Sequence, residues 1–356
     1  MRILVWHVHG GWMEAFVRGP HEYLVPVLPD AGPWGLGKGG RDWPASVQEV
    51  ELDTLDADSV DVVVLQRPEE NAAVSRSLGR RPGLELPAVY VEHNTPKVDV
   101  PYTVHPFADQ HAIPVVHVTH FNRLFWDTGS TPTVVIEHGV PDPGYLYTGE
   151  LEELGVVVNE PVRRGRVTGT DLLPDFAAVG PIRVFGMGTE ELPQALNLKA
   201  TGLSEERLRI AGDLPASQLH AELARCRLYV HPLRWTSLGL SLLEAMHLGM
   251  PVLALDTTEA GRAVPDGAGV VSNDIAALQV FARRLLDDPE EARTIGRIAR
   301  EVALERYGLE RFLANWNELL ADLHSGTPGA AAGTAARGPT QGQLTTHGQV
   351  TERTYP

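Results

Sequence analysis

The sequence predicts an α/β protein made of two Rossmann-like, doubly wound domains that face each other across a cleft, and three observations carry that expectation. The chain has 356 residues, long for one doubly wound unit and suited to two. Short β-branched runs alternate with helical patterns almost throughout, which is the mark of βα units on a parallel sheet. A cluster of turn residues, Gly139-Val140-Pro141-Asp142-Pro143-Gly144, divides two such series.

The first series is expected at Ile3 to Val5, Val60 to Leu65, Ala88 to Glu92, Val115 to Thr119 and Thr133 to Ile136. The second is expected at Val156 to Val158, Ile182 to Phe185, Leu208 to Ala211, Leu228 to Val230 and Val252 to Leu255. Helical patterns from Asp288 to Arg306 and Leu309 to His324, broken at Tyr307-Gly308, close the folded part. The expected division is residues 1–150, residues 151–305, a closing helix at 306–325 and a tail at 326–356. That tail is rich in Gly, Ala, Thr and Gln with almost no large apolar side chains, so it is expected to be disordered.

Composition narrows the function. Hydrophobic residues at 43% and charged residues at 21% supply two cores and exclude global disorder. A net charge of -16 excludes a protein that holds a nucleic acid polymer by neutralising phosphates. The single cysteine, Cys226, permits no internal disulfide and points to a reducing, cytoplasmic setting. The run Met1 to Trp6 is too short for a signal-peptide core, and no stretch has the apolar length of a bilayer span. A membrane acceptor would then be reached by peripheral contact.

The most informative stretch runs from His231 to Ala254 and reads as strand, loop, helix, tight turn, strand. Ser237 is placed to cap a helix beginning near Leu238, and Gly239 leaves room for a ligand at the helix's free N–H groups. Such a terminus suits a diphosphate. Glu244 is the single acidic residue amid Leu240, Leu242, Leu243, Ala245, Met246 and Leu248; a pair of ribose hydroxyls would satisfy it, or it is a partly solvated helix residue.

The run Gly239 to Val252, with its glutamate and its Ala245-Met246-x-x-Gly249-x-Pro251-Val252 ending, resembles the donor-binding core of family-4-type retaining glycosyltransferases, within glycosyltransferase group 1. The resemblance extends more weakly from Met1 to about His324, through Gly10-Gly11 after the first strand and His138-Gly139-Val140 at the end of the first domain. It implies the GT-B fold, a last helix crossing back to the first domain, and a donor set of Gly10, Gly11, Thr236, Ser237, Leu238, Gly239 and Glu244. It also implies transfer of a sugar from a nucleotide diphosphate, with retention, to a carbohydrate, lipid-linked or small-molecule acceptor; no cofactor and no metal are expected.

The chain departs from the family pattern twice. Thr236 stands where the family has its leading glutamate, and Thr168 where it has a lysine. A departing nucleotide diphosphate still needs positive charge, and Arg163, Arg164 and Arg166 are the candidates to supply it, the alternative being a solvated basic turn. In the first domain His93 ends a strand at the carboxyl edge, where open α/β sheets bind ligands, and is a candidate to contact the sugar or acceptor. His120 and His138 occupy similar edges.

Three other signals are weaker. Gly35 to Gly40 fits a dinucleotide-type glycine pattern but lies between prolines, as an acceptor-facing loop. Asp56-Ala57-Asp58 precedes its strand and reads as a solvated turn. His7 and His9 share a face at the end of the first strand, which keeps a metal-dependent hydrolase as an alternative. A non-catalytic sugar-nucleotide-binding protein of the same fold is the other, kept open by Thr236 and Thr168.

Overall fold

The computed structural model describes residues 1–197, 204 and 206–326. All but the first residue of the expected tail lies outside the described residues.

The first sheet is built from β1 (Arg2–Val5), β2 (Glu22–Pro26), β3 (Val47–Val50), β4 (Val62–Leu65), β5 (Ala88–Glu92), β6 (Val115–His117) and β7 (Thr133–Val135), with α1 (Gly10–Phe16), α2 (Pro68–Leu78) and α3 (His120–Phe125) between them. Its strands are parallel in the order β3-β2-β1-β4-β5-β6-β7. Helices cover both faces, so β4 and β5 are buried at every residue and read as continuous apolar runs.

The second sheet contains β8 (Leu151–Val157), β9 (Ile182–Phe185), β10 (Leu208–Gly212), β11 (Cys226–His231), β12 (Val252–Ala254) and β13 (Gly269–Val271), in the order β10-β9-β8-β11-β12-β13. Around it lie α4 (Pro161–Arg164), α5 (Leu173–Ala177), α6 (Leu192–Ala195), α7 (Ala216–Leu223), α8 (Leu240–Leu248), α9 (Ala260–Ala263), α10 (Ile275–Asp287), α11 (Pro289–Tyr307) and α12 (Leu309–Ser325). Asp274 and Asp288 cap α10 and α11 by accepting from the second and third following N–H groups.

The final helix returns to the first sheet. Phe312, Trp316, Leu319 and Leu320 of α12 share one core with Trp12, Met13 and Phe16 of α1. Trp316 meets Trp12 and Phe16 edge to face at 5.5 and 5.1 Å. The Val140 N–H donates to the Tyr307 carbonyl, and Gly139 has Phe312 packed directly on its Cα, where a side chain would overlap the ring.

The expected pair of doubly wound sheets is present, with three strands more than the sequence reading gave: β2, β3 and β13. β3 carries Gln48 and Glu49 between its valines and β13 offers only Val270 and Val271, so neither shows the apolar run that marked the others; β2 does carry one, Tyr23-Leu24-Val25, closed by Pro26, which the sequence reading passed over. β8 starts at Leu151, ahead of the expected Val156, because Glu152 and Glu153 interrupt its apolar pattern.

Candidate active site

In each sheet the chain reverses its winding beside the first strand, between β1 and β4 and between β8 and β11. Ligands of open α/β sheets bind outside the carboxyl ends at such points. The two carboxyl edges face one another. A Cβ on Gly11 would stand 2.6 Å from Leu240 Cδ1, so the Gly10-Gly11 turn and the start of α8 are already in van der Waals contact across the cleft. Further along, the Trp235 indole N–H donates to the Pro96 carbonyl at 2.8 Å, and the Phe121 N–H donates to Glu259 at 2.7 Å. The Trp235 ring stands edge-on to Phe121 and Phe125.

Ser237 does not cap the helix. Gly239 is the N-cap of α8, with no side-chain cap bond, and the Ser237 hydroxyl lies 3.2 Å from that of Thr119 in the other domain. The reason is that α8 begins at Leu240, two residues beyond the expected start, which puts Ser237 in the loop. Gly239 is small for a reason other than ligand approach: a Cβ there would come within 2.5 Å of His231 Cε1. His231 is held by Tyr229, whose hydroxyl donates to Ser241, and burial pushes its pKa down to about 4. Leu238 is buried beneath this loop, and Thr236 is half-buried with no side-chain partner among the described residues.

Glu244 lies on α8, half-buried, 3.8 Å from His220 of α7. The arginine trio separates clearly. Arg163 is exposed and pairs with Glu160, and Arg166 is exposed and pairs with Asp171. Arg164 is half-buried and has no carboxylate partner among the described residues; burial, then Arg163, lowers its pKa. It ends α4, one turn past the carboxyl end of β8. Thr168 is buried and occupied within its own turn, donating to the Gly165 carbonyl and lying 3.1 Å from the Thr170 hydroxyl. Next to it Gly169, at φ +72, packs on the Pro232 carbonyl so closely that a side chain would overlap it. The loops after β8 and β11 are thereby fixed to each other, and Arg234 reinforces them by pairing with Asp171 at 2.5 Å.

In the first domain, His93 is 8% exposed, and its Nε2 is enclosed with no partner among the described residues. The His9 ring lies against it, tilted by 31° with centroids 4.0 Å apart, and Trp12 meets it edge-on at 5.1 Å. His138 is also buried, with Nδ1 unpartnered. Burial keeps all three imidazoles neutral, lowering His9 and His138 to about 4 and His93 well below its ordinary value. His120 begins α3 at the far edge, lining a cavity of about 280 Å³ with Glu137 and Arg306.

His7 and His9 take different partners. His7 Nδ1 lies 2.9 Å from the Gly37 carbonyl and its ring packs on Trp43, while His9 turns to His93. The glycine loop is tied down: the Gly37 N–H donates to the Pro26 carbonyl, and the Trp6 indole donates to Trp34. Asp56 accepts from the Asp58 N–H in a surface turn.

Several cleft residues escaped the sequence reading. Gly186, Met187 and Gly188 follow β9, where the Met187 N–H donates to Asn159 at 3.0 Å. The signal was available, since two glycines directly after a strand mark a close backbone approach. Thr119, Glu259 and Trp235 carry no local motif, because their meaning lies in the contact between domains.

A family model described as "Glycosyl transferases group 1" matches residues 172–288. Glycogen synthase of Mycobacterium tuberculosis is 35% identical over 169 residues, covering 44% of this chain and 37% of that protein. The O-antigen chain mannosyltransferase B of Escherichia coli is 30% identical over 149 residues, covering 41% and 37%. The chain thus aligns with little more than a third of these relatives. Among solved structures, sucrose-phosphate synthase from Thermosynechococcus elongatus superposes with a TM-score of 0.70 at 15% identity, covering 92% of this chain and 100% of that one. Anabaena HepE in complex with UDP and glucose gives 0.69 at 18%, covering 90% and 100%. At such identities these two show the fold.

Proposed function

We propose that this chain, a GT-B protein whose second domain matches the group 1 glycosyltransferases, transfers a glycosyl group from a nucleotide diphosphate sugar to a hydroxyl of an acceptor. The observation that carries the reading is the meeting of Gly11 with Leu240, which brings the first domain's glycine turn against the matched segment of the second domain at both switch points. A diphosphate between them would find the first N–H groups of α8 and the unpaired Arg164 guanidinium. Glu244 would accept from ribose hydroxyls. HepE has been solved with UDP and with UDP-glucose, which supports a nucleotide sugar as the donor class here.

The chemistry follows from charge. As the glycosidic bond to the diphosphate breaks, negative charge grows on the leaving oxygen; the α8 N–H groups, set by the helix, and the Arg164 guanidinium would stabilise it. The resemblance to retaining enzymes makes retention of the anomeric configuration part of the proposal. The acceptor is a carbohydrate, a lipid-linked sugar or a small molecule. No helix among the described residues is long and apolar enough to cross a membrane. Peripheral contact would bring a lipid acceptor to the cleft. A cytoplasmic setting fits Cys226, buried with its thiol pushed up to about 12.

Thermal shift with UDP-, GDP- and ADP-sugars tests the donor, since a ligand of the native state raises apparent stability. Product NMR with the best donor then reads the anomeric configuration. No shift with any nucleotide sugar would reject the proposal. A second reading, donor binding without transfer, is favoured by one observation: the Thr168 hydroxyl is consumed in its own turn, so the second domain offers no cation at that position. Binding without turnover over sugar, lipid-linked and small acceptors would select it.

A further inference from the structure

The cavity that His120 lines is walled by β7, by α3 and by one face of α12, and Arg262 of α9 and Arg306 of α11 reach it from the second domain. Its volume, about 280 Å³, is that of a site for a small ligand, since binding pockets run from roughly 300 to 1,000 Å³. Where the first domain passes into the second, one carboxylate meets three guanidinium groups. Arg306 holds Glu137 through two N–H groups, one donating to Oε2 at 3.2 Å, while Arg262 and Arg311 stand 3.8 and 3.9 Å from the same carboxylate. Those two distances are too long for hydrogen bonds. Arg262 also has Glu259 at 3.4 Å, yet Glu259 Oε1 is enclosed without a hydrogen bond among the described residues. Arg123, one turn along α3 from His120, has no ion pair among the described residues. Four arginines thus stand against two carboxylates, a local positive excess in a chain of net charge -16.

The opposite chemistry follows along α12. Arg311, Asn315, Glu318 and Asp322 are spaced four, three and four residues apart, so they fall on one face of the helix and line the cavity in that order. At about 1.5 Å per residue, Glu318 lies about 10 Å and Asp322 about 16 Å along the axis from Arg311. Both are a screening length or more away, so the acidic end does not cancel the basic one. The side chains of Asn315, Glu318 and Asp322 make no hydrogen bond or ion pair among the described residues. Between the two ends Val134, Phe312 and Leu319 supply an apolar strip.

We propose that this cavity is a second ligand site, apart from the donor cleft, for a small phosphorylated sugar or polyol. The phosphate sits between Arg262 and Arg311, which already converge on Glu137, and guanidinium N–H groups suit its oxygens. Arg306 neutralises Glu137, and Arg123 adds charge from α3. Hydroxyls of the body donate to Glu318 and Asp322 and exchange hydrogen bonds with Asn315, while its C–H face lies on the apolar strip. A bare anion would leave the acidic end unused, and an unphosphorylated sugar would leave the basic end unanswered. Arg311 belongs to the returning helix and Arg262 to the second domain, so one occupant joins both. The site does not depend on whether the chain transfers a sugar.

Calorimetry on the full-length protein tests this, with glucose 6-phosphate, fructose 6-phosphate, ribose 5-phosphate and glycerol 3-phosphate as probes. Glucose and inorganic phosphate represent the two halves. At least one probe is expected to bind tenfold or more tightly than either half. Equal binding of glucose or of inorganic phosphate overturns the proposal, as does failure of all four probes. Arg311→Gln alters an exposed side chain with no hydrogen bond to a carboxylate, so the fold should hold while affinity for the probe falls about tenfold or more, the equivalent of one charge-assisted hydrogen bond. Glu318→Ala is expected to weaken the probe and leave inorganic phosphate unchanged; the reverse pattern overturns the orientation and with it the ligand class. Arg164→Ala, which changes the donor cleft, should leave probe binding as it was. A probe lost in Arg164→Ala but kept in Arg311→Gln occupies the cleft and overturns the inference.

Discussion

The hydroxyl of Ser237, on the loop after β11, lies 3.2 Å from that of Thr119, which at the same time accepts the Asn122 N–H that caps α3. One threonine thus ends a helix in its own domain and touches the other domain. Because Thr119 keeps its capping partner, Ser237→Ala is expected to cost only about 0.5 to 1.5 kcal/mol, read from urea unfolding. Trp235→Ala, which loses both the Pro96 bond and the Phe121 and Phe125 edges, should also widen the cleft. An unchanged radius of gyration in X-ray scattering would show that the domains are held elsewhere.

Arg164→Ala is expected to lower kcat by roughly 100-fold to 1000-fold, as for loss of one preorganised partner of developing charge. Arg163→Ala and Arg166→Ala remove exposed, already paired side chains and should change little. Equal rates in all three variants, each confirmed as folded, would remove the trio from the reaction and strengthen the non-catalytic reading.

Glu244→Ala should weaken donor binding by about 1.5 to 3 kcal/mol, the contribution of a hydrogen bond to a charged group. Its partial exposure and its distance from His220 leave the carboxylate available, so the melting temperature of the free protein should hardly move. Titration calorimetry decides it, and undiminished affinity would return Glu244 to a purely helical role.

Gly169→Ala combines a left-handed backbone, φ +72, with overlap on the Pro232 carbonyl. A stability loss of about 1 to 3 kcal/mol is expected from the strained backbone, with a loss of donor affinity as the loop after β11 shifts. Gly165→Ala is the control: its φ is +50, but nothing lies within 4 Å of the added carbon. It should show the backbone strain without the affinity loss, and matching affinities in the two variants would argue against a shared loop geometry.

His117 is fully buried with both ring nitrogens unpartnered among the described residues, and burial, with His105 and Arg123, lowers its pKa to about 3. The unfolded chain binds its proton near the usual 6.5 while the folded chain refuses it, so below that pH the unfolded state holds more protons and stability falls as pH drops toward 3. A His117→Leu variant lacks this share. Relative to the wild type it should gain by about 2 kcal/mol between pH 7 and pH 5, from 1.36 kcal/mol per unit. Parallel stability curves for the two proteins over that range would contradict the buried, neutral state.

Much of the fold was legible because buried parallel strands and capped helices write themselves locally. Ala88–Glu92 and Ile182–Phe185 lie where their β-branched runs place them, and α11 and α12 follow from Asp288, Tyr307 and Gly308. β3 was hidden because an outer strand exposes Gln48 and Glu49, leaving no continuous apolar run. The site was legible where chemistry is carried by sequence neighbours, as from Gly239 to Val252. It was illegible where partners are distant: that Ser237 answers to Thr119, that Arg164 alone of the three arginines lacks a carboxylate among the described residues, and that the His9 ring lies against that of His93 are properties of the assembled cleft.

The return of α12 to the first core also sets the order in which the molecule is finished during synthesis. Every strand of the first sheet has left the ribosome long before Phe312 and Trp316 exist, so Trp12 and Phe16 wait with an unfilled face while the second sheet, whose strands and helices are contiguous, is made and closed. Released chains truncated after Gly308 should therefore resist protease over the second domain and remain cleavable within the first. The protein's amino-terminal half is the last part to become native.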